Sequence, residues 1–448
     1  MRANHKWGIP GLLVLASILP TLALWNRATY LSGDSYQYLR GGLSFATGQG
    51  LKDMSGNPFT FHPPLYPLLI GLLHRLAPNL DLETAARLVS LAGASIAVPA
   101  FYWLVQSRYS PSIAFSAALL FALLPLRVWS GQWVLSEGLY VGFLMLGLLV
   151  FFRFGLVSKL GALIGGVVFG LAYLTRPEAI LYVAAIAFVT LISALKGQRR
   201  RALMMIFLMA GVFAVALPYH AWVYKTTGAP TSKRVALNLA QSESFYRGQG
   251  PQFVYLHEVN QAGTSIQQSA ADTSLRAVWT RYKYFAGKEI KGLVYDAGPH
   301  WIVWGLLLIG IILLLINGPI RLVRRPELGD MWQFVLPLML LVLPFLHIED
   351  RYLLQVIPVV LLWVVMVIAG IHSQAAIRLP VRMRSFAHAV PFALAIVFAL
   401  SYGYRLVTQL PKTDESLLAR NTAAWLQSQQ LTAAPILSQN PDLAFFAN

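Results

Sequence analysis

Apolar runs of near-membrane-spanning length recur along almost the whole chain, and no other feature constrains the fold as tightly. They fall at 8–25, 83–106, 112–127, 137–152, 161–175, 178–195, 202–224, 299–317, 331–346, 352–371 and 386–406. A helical span needs about 20 predominantly apolar residues, and lipid offers the backbone no hydrogen-bond partners, so such runs become helices. The sequence therefore predicts an all-α polytopic membrane protein with about eleven transmembrane helices. Composition agrees, since 57% of the 448 residues are hydrophobic and 12% charged, well outside the soluble globular range.

The net charge of +17 does not point to nucleic acid, because the basic residues sit in small clusters between the apolar runs. That is how cytoplasmic loops look under the positive-inside rule, and the partners it implies are membrane lipids. The run Pro63–Leu76 decides the parity. It is too short to cross, its leucines at 65, 68, 69, 72, 73 and 76 share one stripe, and Pro63 and Pro64 suit a helix start, so it reads as a juxtamembrane helix. With that helix left uncrossed, the inner segments hold Arg2, Lys6, Arg108, Arg153, Lys159, Lys196, Arg199–Arg201, Arg321, Arg324, Arg325, Arg378, Arg382 and Arg384, fifteen in all. The short outer loops hold only Arg127, Arg176 and Arg351. The sequence thus predicts a retained first anchor, a cytoplasmic N-terminus and an inner-membrane location. There is no cysteine, hence no disulfide framework and no thiolate metal site.

This topology gathers the ionisable residues on the outer face. They are Asp34 in the first outer loop, Glu137 after Ser136, Arg176 with Glu178, and Glu349, Asp350 and Arg351 in one run. Polar residues at membrane depth are functional or paired with one another. Taken singly, Arg176 with Glu178 or Arg351 with Glu349 reads as a structural salt bridge; their convergence favours a site. Asp34 has two readings, a helix cap for the run Tyr36–Ala46 or a reacting carboxylate. Lys225 and Arg234 flank the start of the long outer loop, 225–298, whose middle is polar. Val278, Trp279, Tyr282 and Phe285 recur there at helical spacing and are expected to face the membrane or the core. A loop of this length is functional or disordered, and it reads as a mobile cover.

The order GDSYQYL, HPPLYPLL, LSEGLY, LTRPEAIL, PYHAWVYKTTGAP and EDRYLLQVIPVVLL resembles the GT-C glycosyltransferases of the protein O-mannosyltransferase and lipid A aminoarabinose transferase type. The resemblance runs over roughly residues 1–410, making them one transmembrane glycosyltransferase domain with the first outer loop at 27–82 and the cover at 225–298. Residues 411–448 then read as a short outer segment, the start of a truncated soluble domain. The resemblance implies that Asp34 is the catalytic carboxylate, that a polyprenyl-phosphate sugar is the donor, and that the acceptor is a lipid, glycan or protein. Asp34 is followed by Ser35 where the mannosyltransferase type often carries Asp-Glu, so the acceptor class does not carry over.

The residues suit that chemistry. Polyprenyl phosphate leaves as an anion, so the reaction needs a general base and no general acid, and an Asp with an ordinary pKa of about 3.9 is ionised at neutral pH. Arg351, Lys225 and Arg234 are candidates for the donor phosphate, with Tyr36, Tyr38 and His62 adding hydrogen bonds or serving as interface anchors. Glu137 orients the acceptor or holds a cation; Arg176, Glu178, Glu349 and Asp350 support. The sequence specifies no cofactor and is compatible with a divalent metal held by Asp34, Glu137 and Glu349 or Asp350. A lipid-linked sugar transporter and a non-catalytic relative are the competing readings. A transporter would spread polar groups along its spans and over both faces, which this chain does not do.

Overall fold

The computed structural model describes residues 8–25, 31–54, 56–195, 199–228, 274–297, 302, 305, 332, 335, 340–345, 350–378 and 396–409. These build α1 (Gly8–Ala23), α2 (Gly33–Ala46), α3 (Leu65–Leu76), α4 (Leu82–Gln106), α5 (Pro111–Leu123), α6 (Pro125–Ser130) and α7 (Glu137–Val150), the last prolonged by a π-type turn at Phe151–Gly155. They continue with α8 (Lys159–Tyr173), α9 (Ala179–Leu195), α10 (Arg199–Thr227), α11 (Leu275–Ala297), a 3-10 turn (Asp350–Gln355), α12 (Ile357–Arg378) and α13 (Ile396–Thr408). Among the described residues no strand forms beyond one isolated bridge, Lys52 with Pro58.

Among the described residues, three of the eleven predicted spans become helices long and apolar enough to cross a membrane alone: Leu82–Gln106, Glu137–Gly155 and Arg200–Thr227. The other described apolar helices are shorter, for identifiable reasons. The run at 112–127 is cut at Leu124, where Pro125 starts α6. The run at 352–371 opens as a 3-10 turn, and α12 begins only at Ile357. The predicted spans at 299–317 and 331–346 lie largely outside the described residues, as do Arg234, Glu349, the polar middle of the long loop and the segment 411–448. The juxtamembrane run forms α3, which at 12 residues is about 18 Å long.

Helix starts follow their local chemistry. Asp81 accepts from the Thr84 N–H at 2.9 Å to open α4, and Ser158 accepts from the Gly161 N–H at 2.9 Å to open α8. Between helices, close crossings are made by small residues, the packing that membranes favour where no hydrophobic force drives helices together. At the α4–α7 crossing a Cβ on Gly138 would lie 2.7 Å from the Ser90 carbonyl, and Gly142 abuts the backbone of Gly93. Gly166 and Gly211 perform the same service between α8 and α10, and Gly42 and Gly71 between α2 and α3.

Arg127, counted above with the outer-loop cations, turns inward and is fully buried. Its guanidinium donates to the Ser17 carbonyl at 2.7 Å, to Thr21 Oγ1 at 3.4 Å and to the Ala122 carbonyl, tying α6 to α1 and α5. It is a structural staple. In the long loop, the stripe expected to face the membrane or the core is divided. Phe285 is buried but Trp279 is 54% exposed, stacked on Tyr282 at 5.3 Å. The buried stripe of α11 is instead Arg281, Phe285, Glu289, Leu293 and Asp296. Charged side chains thus point inward, because α11 packs on the polar turn at Asp350–Gln355 as well as on α12.

Candidate active site

Four segments deliver the charged residues to one cleft. The first is the start of α2. Ser32 is its N-cap, and the Ser32 N–H donates to Ser35 Oγ at 2.9 Å. That bond makes Ser35 the reciprocal partner of the cap. The Asp34 carboxylate instead meets His62 Nε2 at 3.6 Å and Arg351 Nη2 at 3.3 Å.

The second segment is the HPP turn. The Leu65 N–H donates to the Leu174 carbonyl at 3.0 Å, joining this turn to the loop that carries Arg176. His62 is buried, with Nδ1 3.5 Å from the Tyr38 hydroxyl, which in turn lies 3.3 Å from Ser136 Oγ. The third segment, the turn before α7, is held from beneath. Tyr66 Oη lies 2.7 Å from Ser90 Oγ, and the Ser90 hydroxyl points at the carbonyls of Trp133 and Leu135, at 2.8 and 3.1 Å. This fixes Glu137 in the first turn of α7, where the helix dipole favours a negative charge. The fourth is the 3-10 turn bearing Arg351, Tyr352 and Gln355.

The result is a continuous chain of charge. Asp34 pairs with Arg351; Arg351 Nε lies 3.4 Å from Glu137; Glu137 accepts from Arg176 at 2.5 Å; Arg176 donates to Glu178 at 3.1 Å. Both guanidiniums sit over the ring of Tyr352, at 4.6 Å for Arg176 and 5.4 Å for Arg351. Glu137, Arg176, Arg351 and Tyr352 line a small, partly open cavity, together with Tyr140 and Gln355. Burial works against the Arg176 charge, but the Glu178 and Glu137 carboxylates more than offset it, so Arg176 stays a cation. Burial, and then the Asp34 charge, push the Tyr38 phenol far above its ordinary value, which leaves it a neutral hydrogen-bonding group.

Of the residues singled out from sequence, Asp34, Tyr38, His62, Glu137, Arg176, Glu178 and Arg351 come together here. Tyr36 is fully buried two residues along from Asp34. Lys225 is exposed near the end of α10, and no described contact brings it to the cluster. The backbone of Asp350 begins the 3-10 turn, while its side chain, like the whole of Glu349, is outside the described residues. Among the described residues no three His, Asp or Glu side chains converge as a metal site. Sequence reasoning passed over Gln355, Tyr140 and Tyr182. The Tyr140 and Tyr182 hydroxyls both donate to Gln355 Oε1 at 2.9 Å, closing one wall of the cavity. The available signal was polar groups inside apolar runs.

Comparison with solved structures places this arrangement in a known architecture. ArnT from Cupriavidus metallidurans bound to undecaprenyl phosphate matches 99% of this chain with a TM-score of 0.54 and 14% identity, the match covering 75% of the ArnT chain. The fold is that of the GT-C glycosyltransferases. The oligosaccharyltransferase of Archaeoglobus fulgidus, tethered to an acceptor peptide containing the NVT sequon, matches 99% of this chain with a TM-score of 0.60 at 12% identity. Archaeal oligosaccharyltransferase AglB from Archaeoglobus fulgidus, in complex with an inhibitory peptide and a dolichol-phosphate, matches at 0.56 and 13%. The present chain spans 58 to 59% of those two chains. The family model for dolichyl-phosphate-mannose-protein mannosyltransferase matches residues 61–222, less than half of the chain and between Asp34 and Arg351 rather than including them. No curated protein matches this chain by sequence.

Proposed function

We propose that this GT-C chain is an integral membrane glycosyltransferase that moves a single sugar from a polyprenyl-phosphate donor to an acceptor hydroxyl on the non-cytoplasmic face. The observation that carries the reading is the contact between Asp34 and Arg351, 3.3 Å apart at the edge of one cavity. A proton acceptor and a phosphate-binding cation belong side by side in this reaction. The acceptor oxygen attacks the anomeric carbon from the face opposite the phosphate, and the carbon–oxygen bond to phosphate breaks. The hydroxyl proton passes to Asp34, polyprenyl phosphate departs as an anion, and the anomeric centre inverts.

Arg351 then has two tasks in sequence. Before donor binding it shares its guanidinium between Asp34 and Glu137. A donor phosphate presents oxygens of the same charge and geometry, so it exchanges for a carboxylate at similar energy. That exchange releases Asp34 to act as base. Arg176, held by Glu137 and Glu178, keeps a second positive charge beside the leaving group. His62, Tyr38 and Ser136 form a hydrogen-bonding scaffold behind Asp34, a positioning role rather than the phosphate contact expected from sequence.

The test is Asp34→Asn, which keeps the side chain's size and removes its capacity to take a proton. Purified variant and parent are given polyprenyl-phosphate sugars, and release of polyprenyl phosphate is followed with sugar transfer. The variant should bind donor normally and transfer slowly; transfer within a few-fold of the parent removes Asp34 from the chemistry. A parent that binds and translocates donor without transferring sugar is a transporter. Sidedness has its own test. Ser136 and Thr175 are buried, so the informative single cysteines are Gln49→Cys and Ser110→Cys, both at exposed positions. Gln49→Cys should label with an impermeant reagent from outside and Ser110→Cys should not; the reverse pattern inverts the site.

A further inference from the structure

Helix α11 carries three ionisable side chains on its buried stripe, Arg281, Glu289 and Asp296, and they are not equivalent. Asp296 is bonded to Arg405 at 2.8 Å. Glu289 is 2% exposed, and its Oε1 is buried with no hydrogen-bond partner among the described residues. A buried carboxyl oxygen left without a partner costs folding stability. Nothing in the packing of α11 requires a carboxyl there, so a ligand is the natural reason for it.

Its surroundings say which ligand. Helix α11 packs on the 3-10 turn that carries Arg351 and Gln355. The Glu289 carboxyl lies within Coulombic reach of the Tyr182 hydroxyl, and that hydroxyl shares Gln355 Oε1 with Tyr140 in the cavity wall. The cavity already holds the guanidiniums of Arg176 and Arg351, which disfavours a cationic guest. An anion is served by Arg351. What remains is a neutral polar group next to a phosphate, and in a sugar phosphate that group is a ring hydroxyl.

We propose that Glu289 is a sugar-binding residue of this site, its buried carboxyl hydrogen-bonding to hydroxyls of the donor's sugar. The proposal rests on the glycosyltransferase reading and names the residue by which it recognises its sugar. Burial raises the Glu289 carboxyl to about 8, so it is protonated at neutral pH and able to donate. The ionisable group whose charge is felt with that of Glu289 is Tyr182 on α9, and Arg281 and Asp296 lie two turns away on α11; burial is the cause of the shift.

The experiment compares binding of undecaprenyl phosphate with that of undecaprenyl-phosphate mannose, glucose and galactose to the full-length protein in detergent. The parent should prefer at least one sugar-bearing lipid over the bare lipid at pH 7 and lose part of that preference at pH 9. Glu289→Ala should cut the preference about fivefold, the worth of one neutral hydrogen bond, and leave affinity for the bare lipid unchanged. Glu289→Gln, still a donor and acceptor, should keep the preference at both pH values, and this comparison decides the matter if the alanine variant does not fold. A parent without preference, an alanine variant that retains it, equal loss for both lipids, or a glutamine variant that loses preference at pH 9 as the parent does overturns the proposal. Preference without sugar transfer leaves Glu289 a sugar ligand and overturns the glycosyltransferase reading instead.

Discussion

Two of the arginine–carboxylate assemblies among the described residues are built on opposite principles. At the junction of α11 and α13, Arg405 donates to the main-chain carbonyls of Tyr295 and Asp296 at 2.5 and 3.3 Å, to Asp296 Oδ1 at 2.8 Å and to Gln409 at 2.9 Å. Its guanidinium lies over Tyr295 at 4.4 Å, and Tyr402 closes the joint with a bond to the Ala297 carbonyl at 2.6 Å. At the candidate site the described polar contacts of Arg351 and Arg176 go to the carboxylates of Asp34, Glu137 and Glu178. Main-chain carbonyls cannot leave, whereas carboxylates on separate elements yield to another anion. The first assembly is a joint, and on the proposed function the second is an exchangeable contact set, although both read as Arg near Asp or Glu.

The contrast can be broken by substitution. The largest effect belongs to Asp34→Asn, with transfer slowed roughly 10²- to 10⁴-fold, the worth of a positioned base, and with the thermal midpoint of the detergent-purified protein unmoved. Arg405→Ala should do the opposite. Removing one partner of a buried pair costs about 3 to 5 kcal/mol, so yield and thermal stability should fall while whatever protein survives binds donor normally. If Arg405→Ala folds as well as the parent and loses donor binding, the joint is part of the site and the contrast fails. Arg351→Ala is smaller again. Loss of a charge-assisted hydrogen bond costs roughly 1.5 to 3 kcal/mol, or about 10- to 150-fold in donor affinity. A collapse in expression with no change in affinity would make Arg351 a joint like Arg405.

The smallest effect sharpens the comparison by pH. Glu289 has its folded pKa raised to about 8 by burial, so the folded state holds a proton that the unfolded chain releases above about 4.3. Stability from this group is complete below that value, declines between it and about 8, and stays low above. Glu289→Gln removes the titration. Its thermal midpoint should therefore exceed the parent's by more at pH 8.5 than at pH 5, and an equal offset at both would mean that Glu289 does not titrate as described.

Much of this was legible in the chain. The helical architecture followed from the apolar runs, and the gathering of Asp34, Glu137, Arg176 and Arg351 followed from loop parity. The two readings of Asp34 were separable only in three dimensions, since Ser35 at the third helical position could take the capping bond and free Asp34. Arg127 was indistinguishable from Arg176 in sequence, each being an Arg in a short polar gap. What separates them is that carbonyls of α1 and α5 surround Arg127, a tertiary fact. Glu289 lies four residues beyond Phe285, on the extension of the expected stripe, but nothing in the sequence sets it apart from the exposed charges of the same helix, Arg276, Lys283, Lys288 and Lys291. Where α11 lies was decided by a polar surface to pack on, and hydropathy does not describe that.

Glu137 is followed by Gly138, where a Cβ would lie 2.7 Å from the Ser90 carbonyl and 2.8 Å from that of Ser130, whereas Gly287 on α11 has open space about it. Heredity therefore treats the two helices unequally. At Gly138 any side chain displaces a backbone and with it the neighbouring carboxylate, so that position passes down a lineage as glycine. On the exposed face of α11 a glycine can become a larger residue without touching a neighbour. Substitutions should accumulate on that face of α11, with the α4–α7 crossing left almost as it was inherited.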